Sequence, residues 1–239
     1  WAVGTQAAAL VVFCILWLMG EEPYLNLLEW TLYQNADYAF YVDFYFDRVT
    51  AVFALLGAGL ALLVVSFSRI YMHREPGYKR FFSTVLFFFL AYNTTIFAGN
   101  LETLFVGWEG LGISSFLLIA FYRERFLPVK NAIKVFSIYR IGDVGLLLAM
   151  WMSHHFWHEN ISFVKLLEQD LIHEHLHGHT ALGVALSVSL LLAAMAKSAQ
   201  WPFTSWLPRA MEGPTPSSAI FYGSLSVHLG AFLLLRTHP

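Results

Sequence analysis

The sequence predicts an all-α polytopic membrane protein with about seven transmembrane helices and a short β-hairpin in its first outer loop. Two observations carry that class. The residues A, V, I, L, M, F, W, Y and C make up 58% of the 239, and Asp, Glu, Lys and Arg only 13%. A soluble domain carries about 25% charge, so too few charges are present to coat a water-facing surface. Those charges also leave long uncharged runs, and a bilayer core needs about 20 apolar residues in a helix. Soluble enzymes and disordered proteins are excluded on these grounds. A net charge of −2 gives no basic footprint for nucleic acid, and the single Cys14 excludes an internal disulfide framework.

The runs come in order. Residues 1–20, 49–68 and 81–100 contain no Asp, Glu, Lys or Arg. Residues 103–122 hold one charge, Glu109, and residues 180–196 hold none before Lys197. Residues 213–235 hold only His228, and a weaker span at 132–153 carries Lys134, Arg140 and Asp143 in its first half. Only helices and closed barrels satisfy backbone groups in lipid, and barrel strands alternate whereas these runs do not. The chain opens at Trp1 without a basic leader, so residues 1–20 read as a span rather than a signal peptide.

Loop charge sets orientation. Arg69, Arg74, Lys79 and Arg80 place the link after the second span in the cytoplasm, as Arg123, Arg125, Lys130 and Lys134 do for the link after the fourth. Glu21, Glu22, Glu29, Asp37, Asp43 and Asp47 against Arg48 place the first loop outside. Residues 154–179, with one lysine, are also outside, and the N-terminus of the segment is cytoplasmic. Arg236, at the outer end of the last span, dissents. The stretch from Thr31 to Phe46 is rich in Tyr and Phe, with Asn35-Ala-Asp37 as its turn, and reads as a hairpin.

Charges inside the runs are the candidate functional groups. Glu109 sits in Gly107-Trp-Glu-Gly-Leu-Gly112, where an uncompensated carboxylate costs about 2.5–3.5 kcal/mol. It must face protein, water or a cation. Glu102 lies seven residues earlier on the same helical face. A neutral Glu109 that only hydrogen-bonds a neighbour is the competing reading. Lys197 ends an apolar run and precedes Pro202, which predicts a helix break there. Such breaks at membrane depth line cavities, and a buried lysine whose partner can move switches its proton; a snorkelling lysine is the alternative. Pro202, Pro208, Pro214 and Pro216 are four of eight prolines, so that stretch is a structured connection packed by Trp201, Phe203 and Trp206.

His228 in the last span, with Ser224 one turn before and Tyr222 nearby, is either a proton relay or a packing residue. Asp143 follows Arg140 by three residues, and a local ion pair and a functional role are both open. His173, His175, His177 and His179 are weak candidates for a metal site. Their loose spacing without cysteine favours a solvated or partner-facing loop.

Four stretches resemble the proton-conducting membrane subunits shared by respiratory complex I and Mrp-type cation/proton antiporters. They are Pro76-Gly-Tyr-Lys-Arg-Phe-Phe82, Gly107-Trp-Glu-Gly-Leu-Gly112, Arg140-Ile-Gly-Asp-Val144, and Lys197-Ser-Ala-Gln-Trp-Pro-Phe203 continuing to Ala210-Met-Glu-Gly-Pro-Thr-Pro216. The resemblance implies two N-terminal helices with the outer hairpin over residues 1–80. It implies a five-helix conducting unit over residues 81–239, broken near Lys197. An inverted second unit normally follows in that family and is absent here, so the chain is expected to be a part or a truncated form. Glu109 is similar to the family's channel carboxylate and Lys197 to the lysine paired with it.

The last span departs from complex I. There a His usually stands near the position of Tyr222, and antiporter-type members often have Lys where this chain has His228. Phe221-Tyr-Gly-Ser-Leu-Ser-Val-His-Leu-Gly230 and Leu233-Leu-Leu-Arg236 are more similar to DabB, the membrane subunit family of the DAB inorganic-carbon accumulation complexes. That likeness implies a non-enzymatic chain without a cofactor of its own, coupling ion-motive force to CO2 or bicarbonate uptake. The partner it implies is a large soluble zinc carbonic-anhydrase-like (DabA-like) subunit, beside membrane lipid and no nucleic acid, in the bacterial cytoplasmic (inner) membrane. The rivals are a complex I or Mrp subunit, a non-conducting membrane anchor for a soluble enzyme, and a metal-handling protein.

Overall fold

The computed structural model describes residues 1–20, 24–34, 39–157, 160–167, 180–222 and 225–237. Helix α1 covers Ala2–Met19, strands β1 and β2 cover Leu25–Gln34 and Ala39–Phe46, and α2 covers Arg48–Tyr71. Then come α3 (Tyr78–Ile96), α4 (Leu101–Ile119), α5 (Phe126–Trp157), α6 (Thr180–Lys197), α7 (Thr215–Tyr222) and α8 (His228–Thr237). Five of these helices are long and apolar enough to cross a membrane: Ala2–Met19, Arg48–Tyr71, Leu101–Ile119, Phe126–His155 and Thr180–Lys197. The membrane-helix class and the small hairpin read from the sequence are both present.

Local chemistry sets the boundaries. Asp47 accepts a hydrogen bond from the Thr50 amide (2.9 Å) and caps α2, and Asn100 accepts one from the Thr103 amide (2.8 Å) and caps α4. Gly77 enters α3 with φ of 94°, a left-handed conformation that a side chain resists. Helix α6 stops at Lys197 as the proline pattern predicts, and 3-10 turns at Thr204–Trp206 and Pro208–Ala210 follow.

The last span differs from the uninterrupted run in the sequence. It is two short helices, α7 and α8, separated by residues that include Leu225, Ser226 and Val227. The Leu225 amide reaches back five residues to the Ile220 carbonyl (3.2 Å), and the Val227 carbonyl is taken by the Ser198 hydroxyl (2.7 Å). Ser198, the residue just after α6, thus ties the start of α8 to the end of α6. The local sequence Gly223-Ser-Leu-Ser226 is rich in poor helix formers.

The strands pair antiparallel, from Leu25 opposite Phe46 to Gln34 opposite Ala39, with register shifts between Asn26/Leu28 and Thr31/Tyr33. The proposed turn at 35–37 lies outside the described residues. Strand β2 is stitched to the bundle: Tyr45 donates its amide to the Phe97 carbonyl, Gly99 donates to Asp43, and Asn100 Nδ2 donates to the Tyr41 carbonyl. The Phe163 amide bonds the Gly99 carbonyl, so residues 160–167 cap the same end.

Arg236 explains its dissent from the loop-charge pattern. It is buried at this end, forked onto both oxygens of Asp47 (2.8 and 2.9 Å) and bonded to Thr50 Oγ1. Its charge is spent on an internal pair, so it does not report on which side of the membrane the helix ends.

Small residues bring neighbouring helices together. A Cβ on Gly107 would strike the Thr95 side chain and, at 2.8 Å, the Ala91 carbonyl of α3. One on Gly145 would strike the Ser189 carbonyl of α6. Backbones in membrane bundles approach this closely only across small residues.

Candidate functional site

Four ionisable side chains from α4, α5 and α6 converge. Glu109 lies in the middle of α4, Arg140 and Asp143 one turn apart on α5, and Lys197 at the last residue of α6. Arg140 Nη2 meets Glu109 Oε2 at 2.5 Å, and Arg140 Nε meets Asp143 Oδ2 at 2.9 Å. The second contact is electrostatic only, because neither atom satisfies hydrogen-bond geometry. Asp143 is fixed instead by Trp108, whose indole N–H donates to Oδ1 at 2.9 Å.

Lys197 is 1% exposed. Its ammonium donates to the Trp108 carbonyl (3.2 Å) and lies 4.7 Å from the Trp108 ring centroid and 4.5 Å from that of Tyr139. Asp143 and Glu109 attract this charge and Arg140 repels it. A direct contact between Glu109 and Lys197 does not occur. The acid and the base, which the resemblance pairs, are connected among the described residues only through Arg140, Asp143 and Trp108. Arg140 was read only as a local partner of Asp143. Its bond to Glu109 crosses to another helix, which intrahelical spacing does not reveal.

The other candidates are placed as follows. Glu102 is buried in the first turn of α4, and its Oε2 has no hydrogen-bond partner among the described residues. His228 opens α8 on an exposed position, next to the Val227 carbonyl that Ser198 binds. Tyr222 ends α7, and its side chain is outside the described set, as is Ser224. His173, His175, His177 and His179 also lie outside the described residues. Among the described residues no group of three or more His, Cys, Asp or Glu is arranged to hold a metal ion.

Three aromatic residues stand at the centre that the sequence reading did not place in the site: Trp108, Tyr139 and Trp206. Each is buried with exposure of 2% or less. The signal available in the sequence was Tyr139 beside Arg140 and Trp108 beside Glu109, an aromatic adjoining two of the four charges.

A family model described as NADH:quinone oxidoreductase/Mrp antiporter, TM matches residues 98–239, which include all four charges. The chain belongs to this antiporter family. A second model, NADH-Ubiquinone oxidoreductase (complex I), chain 5 N-terminus, matches residues 30–82. This antiporter-family chain is 37% identical over 221 residues to NADH-ubiquinone oxidoreductase chain 5 of Halichoerus grypus, covering 92% of this chain and 34% of that protein. It is 32% identical over 250 residues to NAD(P)H-quinone oxidoreductase chain 5 of Picosynechococcus sp., covering 99% of this chain and 35% of that protein. The chain thus spans about a third of the length of these curated relatives. Its fold is similar to a chain in the structure of the Mrp complex from Dietzia sp., with TM-score 0.83 and 24% identity over 99% of this chain and 25% of that one. It also resembles part of an archaeal membrane-bound sulfane sulfur reductase, with TM-score 0.64 and 19% identity over 80% of this chain and 38% of that one.

Proposed function

We propose that this chain is the conducting part of a proton-translocating membrane subunit that delivers ion-motive energy to a partner. The observation that supports this reading most is the convergence of Glu109, Arg140, Asp143 and Lys197 from three helices, two of which, α5 and α6, pack through glycine. Neutralising Glu109 frees Arg140 to engage Asp143 fully. Lys197 then loses the attraction of both carboxylates and yields its proton. Recharging Glu109 reverses the step. Glu102, toward the hairpin end of α4, serves as the exchange acid on that side. Tyr222, Ser224 and His228 carry the proton onward from Lys197.

In this reading residues 81–239 are the conducting unit and residues 1–80 its N-terminal helices and cap, with the hairpin outside and the N-terminus of the segment inside a bacterial cytoplasmic membrane. One charge crossing 100 mV releases about 2.3 kcal/mol, enough to bias a coupled uptake or hydration reaction. The work supported by the last-span sequence is inorganic carbon uptake with a large soluble zinc carbonic-anhydrase-like partner, in which case the carbon chemistry and the zinc reside on the partner. The names of the relatives favour a second reading, a subunit of a quinone-linked or cation/proton antiporter assembly.

Two experiments test these readings. E109Q and K197A are expected to abolish potential-driven proton uptake in vesicles that still contain the protein, and full uptake in either variant refutes the assigned roles. Copurification distinguishes the partners, because recovery of redox or antiporter subunits in place of a zinc protein overturns the carbon reading.

A further inference from the structure

We propose that Tyr139 is a positioning residue for Lys197: its ring and that of Trp108 form an aromatic clamp that holds the ammonium where a contacting carboxylate would otherwise be needed. The inference rests on reading Lys197 as a proton-exchanging group. Among the described residues no ion pair within contact distance includes Lys197. The ammonium instead has the Trp108 carbonyl at 3.2 Å and two ring faces at 4.5 and 4.7 Å. An aromatic face carries the negative end of a quadrupole, and a cation within about 6 Å of it is held the more strongly when water is excluded. Lys197, Trp108 and Tyr139 are each at least 98% buried.

The two walls are fixed from different places. Trp108, on α4, is tied through its indole N–H to Asp143. Tyr139, on α5, is met edge-on by Trp206, with ring centroids 5.0 Å apart and planes at 80°. Trp206 comes from the segment after the helix break, and its indole N–H donates to the carbonyl of Ala196 (2.9 Å), the residue before Lys197. One side chain of the broken segment therefore sets both the ring that faces the ammonium and the helix end that carries it. Rearrangement of residues 198–210 would shift ring and lysine together, so that the break acts on the proton through Trp206.

The charged groups around Lys197 are Glu109 from α4 and Arg140 and Asp143 from α5. On α8, His228 is exposed and Arg236 is paired with Asp47. The Tyr139 hydroxyl has neighbours of its own, the Ser115 and Ser226 hydroxyls. Ring and hydroxyl therefore have separate surroundings and can be tested apart.

The test is proton flux against pH in proteoliposomes carrying the intact complex under an imposed potential. Tyr139 is replaced by phenylalanine and by mono-, di- and trifluorinated phenylalanines, which keep the shape while draining the negative face of the ring. Y139F is expected to conduct within about twofold of wild type, and successive fluorines to move the alkaline limb of the flux profile downward by about one pH unit in all, a tenfold change in protonated fraction. Y139L should shift it as far as the trifluorinated ring. A profile indifferent to fluorination overturns the clamp, as does a Y139F defect equal to that of Y139L, which would assign the effect to the hydroxyl. Wild-type flux that K197A leaves intact overturns the conduction reading itself. Flux abolished by K197A but ungraded by fluorine overturns the clamp alone.

Discussion

Replacing Asp47 by alanine should destabilise the protein more than removing its partner Arg236, and the asymmetry follows from burial. The Arg236 side chain is 4% exposed and that of Asp47 19%. Without the carboxylate, the guanidinium keeps Thr50 and the rings of Tyr45, Phe163 and Phe232 at 5.2, 5.7 and 5.2 Å, but no counter-charge. Breaking a buried pair in this way costs about 3–5 kcal/mol, and losing the α2 cap adds about 1 kcal/mol. R236M instead leaves a carboxylate that is one-fifth exposed and still caps Thr50, at about 1–3 kcal/mol. D47N, which retains a capping oxygen, should fall between them. The D47A/R236M double variant should unfold more readily than R236M by only the cap, because no stranded charge remains. Thermal or denaturant unfolding of the detergent-solubilised full protein, followed by tryptophan fluorescence, measures all four. Equal costs for the single variants, or a double variant whose loss equals their sum within about 0.5 kcal/mol, would refute the argument.

Three further outcomes are expected. R140K should lower proton flux several-fold and R140Q further, since Arg140 bridges Glu109 and Asp143 through two different nitrogens and a lysine has only one; wild-type flux in R140Q would remove Arg140 from the relay. G145V should separate α5 from α6 and cost about 3 kcal/mol or prevent folding, read as loss of protein from the membrane fraction. E102Q removes a buried carboxylate with an unpartnered oxygen, so unfolding should be unchanged or harder by about 1 kcal/mol while flux falls, and unchanged flux would exclude Glu102 from the path.

The helices were legible because a bilayer demands uncharged length, and residues 1–20, 49–68 and 180–196 supply it without ambiguity. Glu109 and Lys197 stood out for the same reason in reverse, as charges within such runs. Their connection was not legible. The spacing of Arg140 and Asp143 reports a contact within one helix, whereas the bond from Arg140 to Glu109 spans 31 residues and depends on how closely α4 and α5 pack. Tyr139 drew no attention in the sequence, because the cation on its ring comes from α6. The interruption between α7 and α8 was hidden because hydropathy counts side chains, and residues 213–235 are apolar and free of Asp, Glu, Lys and Arg on both sides of it. Arg236 stood out as a dissenter from the topology argument because a statistical rule about loops cannot see a partner 189 residues away.

The seam between β2 and the start of α4 has a mechanical consequence. Tyr41, Asp43, Asn100 and Thr103 bind strand to helix by two side-chain bonds, Asn100 Nδ2 to the Tyr41 carbonyl and the Asp43 amide to Thr103 Oγ1, each at 3.0 Å. The helix is a stiff rod, and Glu109 sits about 12 Å along it from Leu101 at 1.5 Å per residue. A pull on the strands is therefore delivered lengthwise to the carboxylate. Whatever grips the hairpin holds a lever on the distance between Glu109 and the guanidinium across from it.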